Sequence, residues 1–182
     1  MAAQVETRMT AAEFFQMPET SLPVELLDGE VLMSPAPELG HQDIVLQTAL
    51  TLKSLVGEGK LYIAPVDVYL DEFNIVQPDV MWLAAESACV PMEGKYLRGA
   101  PDLVVEVFSP GSISRDKKKK FRLYEKHGVR EYWMLDPQER YIEVHRLEGG
   151  RFMLQGVYEP DDTFESAALD GKTVEVKGLF GG

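Results

Sequence analysis

"APDLVVEVFSPGSISRDKKKKFRLYEKHGVREYWMLDP", Ala100 to Pro137, decides how this chain is read. An apolar strand (Leu103 to Phe108) is followed by a basic helix from about Ile113 to His127, a stop at Gly128, and a second apolar strand, "EYWMLDP", that Pro137 breaks. Period two puts Asp102, Val104, Glu106 and Phe108 on one face of the first strand and Leu103, Val105 and Val107 on the other. Glu106 therefore projects into an apolar layer. An ionised carboxylate costs several kcal/mol to bury without compensation, so a partner has to exist elsewhere in the chain.

The basic helix offers one. At about 100° per residue, Lys120 shares a face with Ile113, Asp116, Leu123 and Tyr124, while Lys118 and Arg122 point the other way. One lysine is thus carried toward the core side, where an isolated ammonium is as awkward as Glu106. The two anomalies compensate each other if they meet. A second carboxylate, Asp79, follows Pro78 in "IVQPDVMWL", where a distorted strand can aim its side chain at a neighbour. Two carboxylates on adjacent strands repel unless a cation lies between them, and hard oxygen ligands suit Mg²⁺ or Mn²⁺.

Plainer readings stand beside these. Glu106 fits an ion pair with Arg98 or Lys117, and Lys120 fits a snorkelling surface lysine. Asp79 and Asp102 each follow a proline and suit turns or caps. His41 reads as a helix-start residue rather than a metal ligand, because no second histidine lies at ligand spacing. Trp82, Tyr124, Tyr132 and Trp133 read as core.

Outward from this segment, Thr10 and Glu13 form a capping box opening a short helix that Pro18 ends. "VELLDGEVLM" (Val24 to Met33) is a hairpin about Asp28-Gly29. "HQDIVLQTALTLKSLVGEG" from His41 is helical until Gly57 and Gly59. Leu61 to Leu70 and Ile75 to Leu83 read as two strands about the turn "DEFN", and Glu86 to Gly99 as a loop. "YIEVHRLEGGRFMLQGVY" is a hairpin about Gly149-Gly150, and "KTVEV" one more short strand. Strands alternating with helices between flanking hairpins indicate an α/β fold with a mixed sheet.

With 182 residues and 45% hydrophobic content the chain reads as one domain, 1–182, with a substantial core over about 10–158 and a flexible start over 1–8. No apolar run reaches the roughly 20 residues of a membrane span, and the first residues lack the apolar core of a signal peptide, so the expectation is a cytoplasmic protein without a membrane partner. Cys89, the single cysteine, excludes an internal disulfide and reads as a small buried side chain. The net charge of −12 argues against a nucleic-acid partner until its distribution is considered. Between Lys95 and Arg130 ten Lys or Arg face four Asp or Glu, a window of +6 suited to a polyanion or phosphoester.

Together, "QPDV", "GAPDLVVEVFSP" and "RDKKKKFRLYEKHGVREYWMLDP" resemble the Uma-type family of restriction-endonuclease-like nucleases, a branch of the PD-(D/E)XK superfamily. "ELLDGEVLMSPAP" and "GHQDIVLQTALTL" also fit, so the resemblance runs from about Thr10 to Tyr158. It implies a restriction-endonuclease-like α/β fold with a central mixed β-sheet flanked by helices. It also implies Mg²⁺- or Mn²⁺-dependent phosphodiester hydrolysis, with DNA as the partner. Asp79 and Glu106 match the metal-binding acids. Phe108 stands where the superfamily motif has its lysine; the Uma-type pattern supplies it from the following helix, on Asp116, Lys120 and Tyr124. Glu25 matches an acidic position and is a candidate auxiliary ligand. A homodimer is implied by resemblance, with the hairpin Tyr141 to Tyr158 as candidate interface. A noncatalytic module that keeps the fold is the alternative, and hydrolysis of another phosphoester a third reading.

Overall fold

The computed structural model describes residues 8–108 and 115–181, with side chains described from Lys118 onward in the second segment. The expected helix start at Ile113, the Asp116 side chain and most of the N-terminal stretch expected to be flexible lie outside the described residues.

Thr10 caps α1 (Ala11–Phe14) through the reciprocal bonds of the capping box with Glu13. The hairpin of β1 (Val24–Leu27) and β2 (Glu30–Met33) turns at Asp28 and Gly29, both at positive φ, as a two-residue turn matching strand twist requires. α2 (Leu39–Leu55) follows and ends before the two glycines.

The next region departs from the sequence reading. Leu61 to Leu70 is two strands, β3 (Lys60–Ile63) and β4 (Val68–Asp71), which belong to different sheets. Ile75 to Leu83 is likewise β5 (Asn74–Val76) and β6 (Val80–Leu83), and the chain passes between sheets at Gln77-Pro78-Asp79. Pro78 has no amide hydrogen to give a ladder, so the break falls where pairing was already impossible. The expected loop from Glu86 to Gly99 contains a short hairpin, β7 (Val90–Met92) and β8 (Tyr96–Arg98). Only Leu97 of these two strands is fully buried, so they lack the apolar alternation that announces a strand.

β9 (Leu103–Val107), α3 (Arg115–His127) and β10 (Glu131–Asp136) form the expected strand, helix, strand unit, with β9 and β10 parallel. The hairpin of β11 (Tyr141–Glu148) and β12 (Arg151–Tyr158) continues that sheet. The C-terminal stretch forms a hairpin, β13 (Thr163–Ser166) with β14 (Lys172–Glu175), rather than one strand, then α4 (Val176–Leu179).

Two mixed six-stranded sheets result, ordered β12-β11-β10-β9-β6-β3 and β2-β1-β5-β4-β8-β7. On one face of the first, Val80, Leu103, Val105, Trp133 and Leu135 pack with Leu52 of α2, Leu179 of α4 and Phe164 of the C-terminal hairpin. On its other face, Met81, Val104, Tyr132 and Met134 meet Leu27, Val68 and Val76 of the second sheet and Leu123 and Tyr124 of α3. The mixed α/β architecture stands, with the refinement that a second sheet covers much of one face. Trp82, Tyr124, Tyr132 and Trp133 are core residues, and Cys89 is buried with its thiol pushed up to about 12 by burial and by the charge of Asp102.

Buried Glu131 ties the C-terminal hairpin to this core. Its carboxylate accepts from Trp133 Nε1 at 2.7 Å and from the Ala168 amide at 2.8 Å, so the group is fully hydrogen-bonded without a cation.

Candidate active site

The seam between the two sheets is where Asp79 and Glu106 come together. β6 and β9 pair antiparallel with Val80 opposite Val105, and one further step in the same register sets Asp79 opposite Glu106, on the face that looks toward the second sheet and α3. The Val107 amide donates to Asp79 Oδ2 at 2.8 Å, which anchors this carboxylate to the end of β9.

Lys120 fills the space between the acids. Its Nζ lies 3.0 and 3.2 Å from the two oxygens of Glu106 and 2.9 Å from Glu25 Oε1. Glu25 comes from β1 of the other sheet and is fixed by the Gln77 amide, which donates to Oε1 at 2.7 Å. The Tyr124 hydroxyl, one helical turn beyond Lys120, donates to Glu106 Oε1 at 2.6 Å. The anomalous strand acid and the anomalous helix lysine therefore do meet. Arg98 is not the partner of Glu106, and the Lys117 side chain, the other candidate, lies outside the described residues. The structure brings Glu25, Asp79, Glu106, Lys120 and Tyr124 together.

The electrostatics follow from burial. Burial pushes the Glu106 carboxyl up, and the charges of Asp79 and Glu25 push the same way; against them Lys120 and the Tyr124 hydrogen bond pull it down, with a net rise to about 7. Burial pulls the Lys120 ammonium down, but Glu106 and Glu25 outweigh it and hold its pKa well above the ordinary lysine value. Tyr124 is held neutral by burial and by the same two acids, which keeps its hydroxyl a donor.

His41 is the residue that sequence reasoning passed over. It is the third residue of α2, and its Nε2 lies 3.3 Å from Asp79 Oδ2 with both side chains largely buried. Burial lowers its pKa, but the hydrogen bond and charge of Asp79, the charge of Glu106 and the Val107 backbone outweigh this and raise it. Its Nδ1 is buried without a partner among the described residues. The only signal in the sequence was a histidine opening a helix, and nothing local ties that helix to a strand turn 38 residues away. Asp102, by contrast, has a structural role: it accepts from the Ala84 amide at 2.9 Å and approaches Arg130 at 3.4 Å.

Among the described residues no three His, Cys, Asp or Glu side chains are already arranged as a metal cage. The donor set suits a different kind of ion. Mg²⁺ takes one or two carboxylates and completes its shell with water and substrate phosphate, and Asp79 and Glu106 are two oxygen donors on neighbouring strands. Because Asp79 Oδ2 is already engaged by Val107 and His41, Oδ1 is the atom left to a cation. A cavity of about 400 Å³ lies on the opposite face of the sheet beside Trp82, Ala168 and Leu169, away from this cluster.

The fold has a counterpart in the crystal structure of a protein described as a "putative nuclease belonging to DUF820" from Anabaena variabilis ATCC 29413. The TM-score is 0.77 at 24% identity, over 94% of this chain and 97% of that one. No curated protein matches the sequence significantly. The family model of Uma2, described as "Putative restriction endonuclease", matches residues 11–177. That span contains both sheets, the seam between them and every residue of the Glu106 cluster, and the chain belongs to the Uma2 family.

Proposed function

We propose that the protein is a divalent-metal-dependent phosphodiesterase acting on DNA, with Asp79 and Glu106 as metal ligands. The observation that carries this is three carboxylates gathered at one seam of the fold around a single inward lysine. A protein gains little stability from such a cluster, since buried ion pairs seldom repay their desolvation, so a chemical use is the economical explanation. Family membership supports the reaction class.

Asp79 and Glu106 would hold the ion, and a divalent ion there would supply Lewis-acid polarisation of a phosphoryl oxygen and a more acidic bound water. Lys120 would meet the charge that grows on the nonbridging oxygens as the water oxygen, its proton passing to bulk water, bonds to phosphorus and the leaving ester oxygen departs and takes a proton from bulk water. Tyr124 and His41 keep the two ligand carboxylates oriented. Glu25, 2.9 Å from the Lys120 ammonium, would keep that cation at the site if Glu106 served as a ligand.

The test is cleavage of plasmid and single-stranded DNA at low salt, with Mg²⁺ or Mn²⁺ against EDTA. Metal-dependent cleavage is the expected result. No cleavage of any DNA, together with no metal binding, would contradict the reading. It would favour the noncatalytic module, whose own support is that Lys120 already pairs with Glu106 and Glu25 as a structural ion pair would. Cleavage of a simple phosphodiester such as bis-p-nitrophenyl phosphate, but of no DNA, would point to another phosphoester.

Metal affinity should also depend on pH in a stated direction. Glu106 must lose its proton to bind a cation, and its pKa is raised to about 7 by burial and the neighbouring acids. Affinity for Mn²⁺ is therefore expected to climb as pH rises through that value, by up to about tenfold per unit below it, and then level off. Calorimetric titrations at pH 6 and pH 8 check this; equal affinities would contradict the assignment of Glu106 as a ligand.

A further inference from the structure

Beside the Glu106 cluster, α3 overhangs a shallow pocket of about 240 Å³ lined by Lys118, Phe121, Arg122, Met134 and Glu143. Strand register ties it to the site. Met134 of β10 is opposite Glu106 on one side and opposite Glu143 of β11 on the other, so Glu106, Met134 and Glu143 form one row across a single sheet face. With neighbouring strands about 4.8 Å apart, Glu143 sits about 10 Å from Glu106 at the backbone. The pocket thus begins where the reaction centre ends.

Its wall carries two cations without a carboxylate partner, as Lys53 and Lys60 are elsewhere among the described residues. Most basic side chains on or beside α3 are engaged: Lys119 with Glu30 at 2.7 Å, Lys126 with Asp71 at 3.0 Å, and Lys120 in the cluster. Arg130 and Arg151 also have carboxylate partners. Lys118 and Arg122, four residues apart on the exposed side of the helix, have none among the described residues, although the chain holds 30 acids against 18 bases. Two unpaired cations held one turn apart form a phosphate-sized site on a rigid element.

On the sheet side of them Phe121 is held in place by edge-on contacts with His145 and Phe152 at 5.1 Å and with Tyr132 at 6.3 Å. A fixed ring beside a cationic pair is the combination that binds unstacked nucleotides, the base on the aromatic surface and the phosphate on the charge. Glu143 leaves the pocket with one net positive charge and limits its strength. We propose that Lys118, Phe121 and Arg122 form a nucleotide subsite that grips the substrate strand beside the scissile phosphate. This rests on the phosphodiesterase reading for its substrate class, but it is tested without catalysis.

The test is binding of a fluorescein-labelled 12-nucleotide single strand in EDTA, across a salt series. Lys118→Ala with Arg122→Ala is expected to weaken binding about tenfold at low salt and to flatten the log affinity against log salt slope by about 1.4, near 0.7 per lost phosphate contact. Glu143→Gln is expected to tighten binding, a sign that loss of structure would not give. Lys53→Ala with Lys60→Ala removes the same charge from two exposed sites elsewhere and should change little. Wild-type affinity in the Lys118/Arg122 pair, an equal loss in the Lys53/Lys60 pair, or no binding by the wild type would each overturn the proposal. Metal-dependent cleavage with binding indifferent to Lys118 and Arg122 would remove the subsite and leave the phosphodiesterase. Binding that depends on them, without any cleavage, would do the reverse.

Discussion

Lys120→Met is expected to destabilise the metal-free protein by about 3–5 kcal/mol, the usual result of removing one partner from a buried ion pair. In the wild type the ammonium touches Glu106 and Glu25 within 3.2 Å. Its loss leaves these two carboxylates, with Asp79 nearby, without a cation. Because the folded-state pKa of Lys120 is raised well above the ordinary lysine value, the ammonium is charged throughout the neutral range, so the deficit should be plain at pH 8. It should shrink toward pH 5, where Glu106 takes up a proton. Added Mn²⁺ should restore part of the stability, since an ion that binds only the folded state raises it by mass action. Cleavage should fall about a hundredfold, the cost typical of losing one group that stabilises transition-state charge. Denaturant midpoints with and without Mn²⁺ measure the first effect. A variant as stable as the wild type, or one indifferent to Mn²⁺, would contradict the placement of Lys120 as the resident cation of a metal site.

Glu106→Gln should separate activity from stability in the opposite way. The side chain keeps its shape, and Lys120 keeps Glu25 at 2.9 Å, so the fold should tolerate the change. The sign of the pH effect is set by the raised carboxyl. A Glu whose pKa goes up on folding makes the protein less stable as pH rises from its unfolded value toward about 7. The variant lacks that penalty and should be flatter across the range, equal to the wild type or better at pH 8. Metal-dependent cleavage should fall on the order of a thousandfold, about 4 kcal/mol in the barrier. Loss of activity with stability preserved is the signature of a ligand. A variant that unfolds, or one that cleaves normally, would assign Glu106 to structure.

The part of the site legible in the sequence was the part that local periodicity controls. Strand alternation put Glu106 on the wrong face for a carboxylate, and the helical wheel turned Lys120 and Tyr124 inward; the structure joins them at 2.6 to 3.2 Å. Periodicity says which face a residue takes but not which sheet receives the strand. Hence Leu61 to Leu70 and Ile75 to Leu83 each read as one strand, although the chain changes sheets inside both. That second crossing is what holds Asp79 beside β9. His41 was illegible for a related reason: its partner is fixed by how α2 lies on the sheet, a long-range packing outcome carried by Ile44, Val45, Ala49 and Leu52. The C-terminal hairpin was half seen because β13 buries only Phe164 and Ser166.

The arrangement also gives a physical role to the lysine that the helix, rather than position 108, provides. Phe108 is buried in the core that backs α3, together with Leu123 and Tyr124. A lysine one turn before Tyr124 reaches both sheets at once, contacting Glu25 from one and Glu106 from the other.

In the proposed site Asp79 and Glu106 form a cation centre from which Lys120 gives way. Anomalous diffraction from crystals soaked in Mn²⁺ tests it directly. One strong peak is expected, bound by Asp79 Oδ1 and a Glu106 oxygen at about 2.0–2.4 Å as hard divalent ions require, with the Lys120 ammonium moved toward Glu25. No peak at the seam in a protein that still binds Mn²⁺ elsewhere, or a Lys120 that keeps both carboxylates at saturating metal, would contradict it.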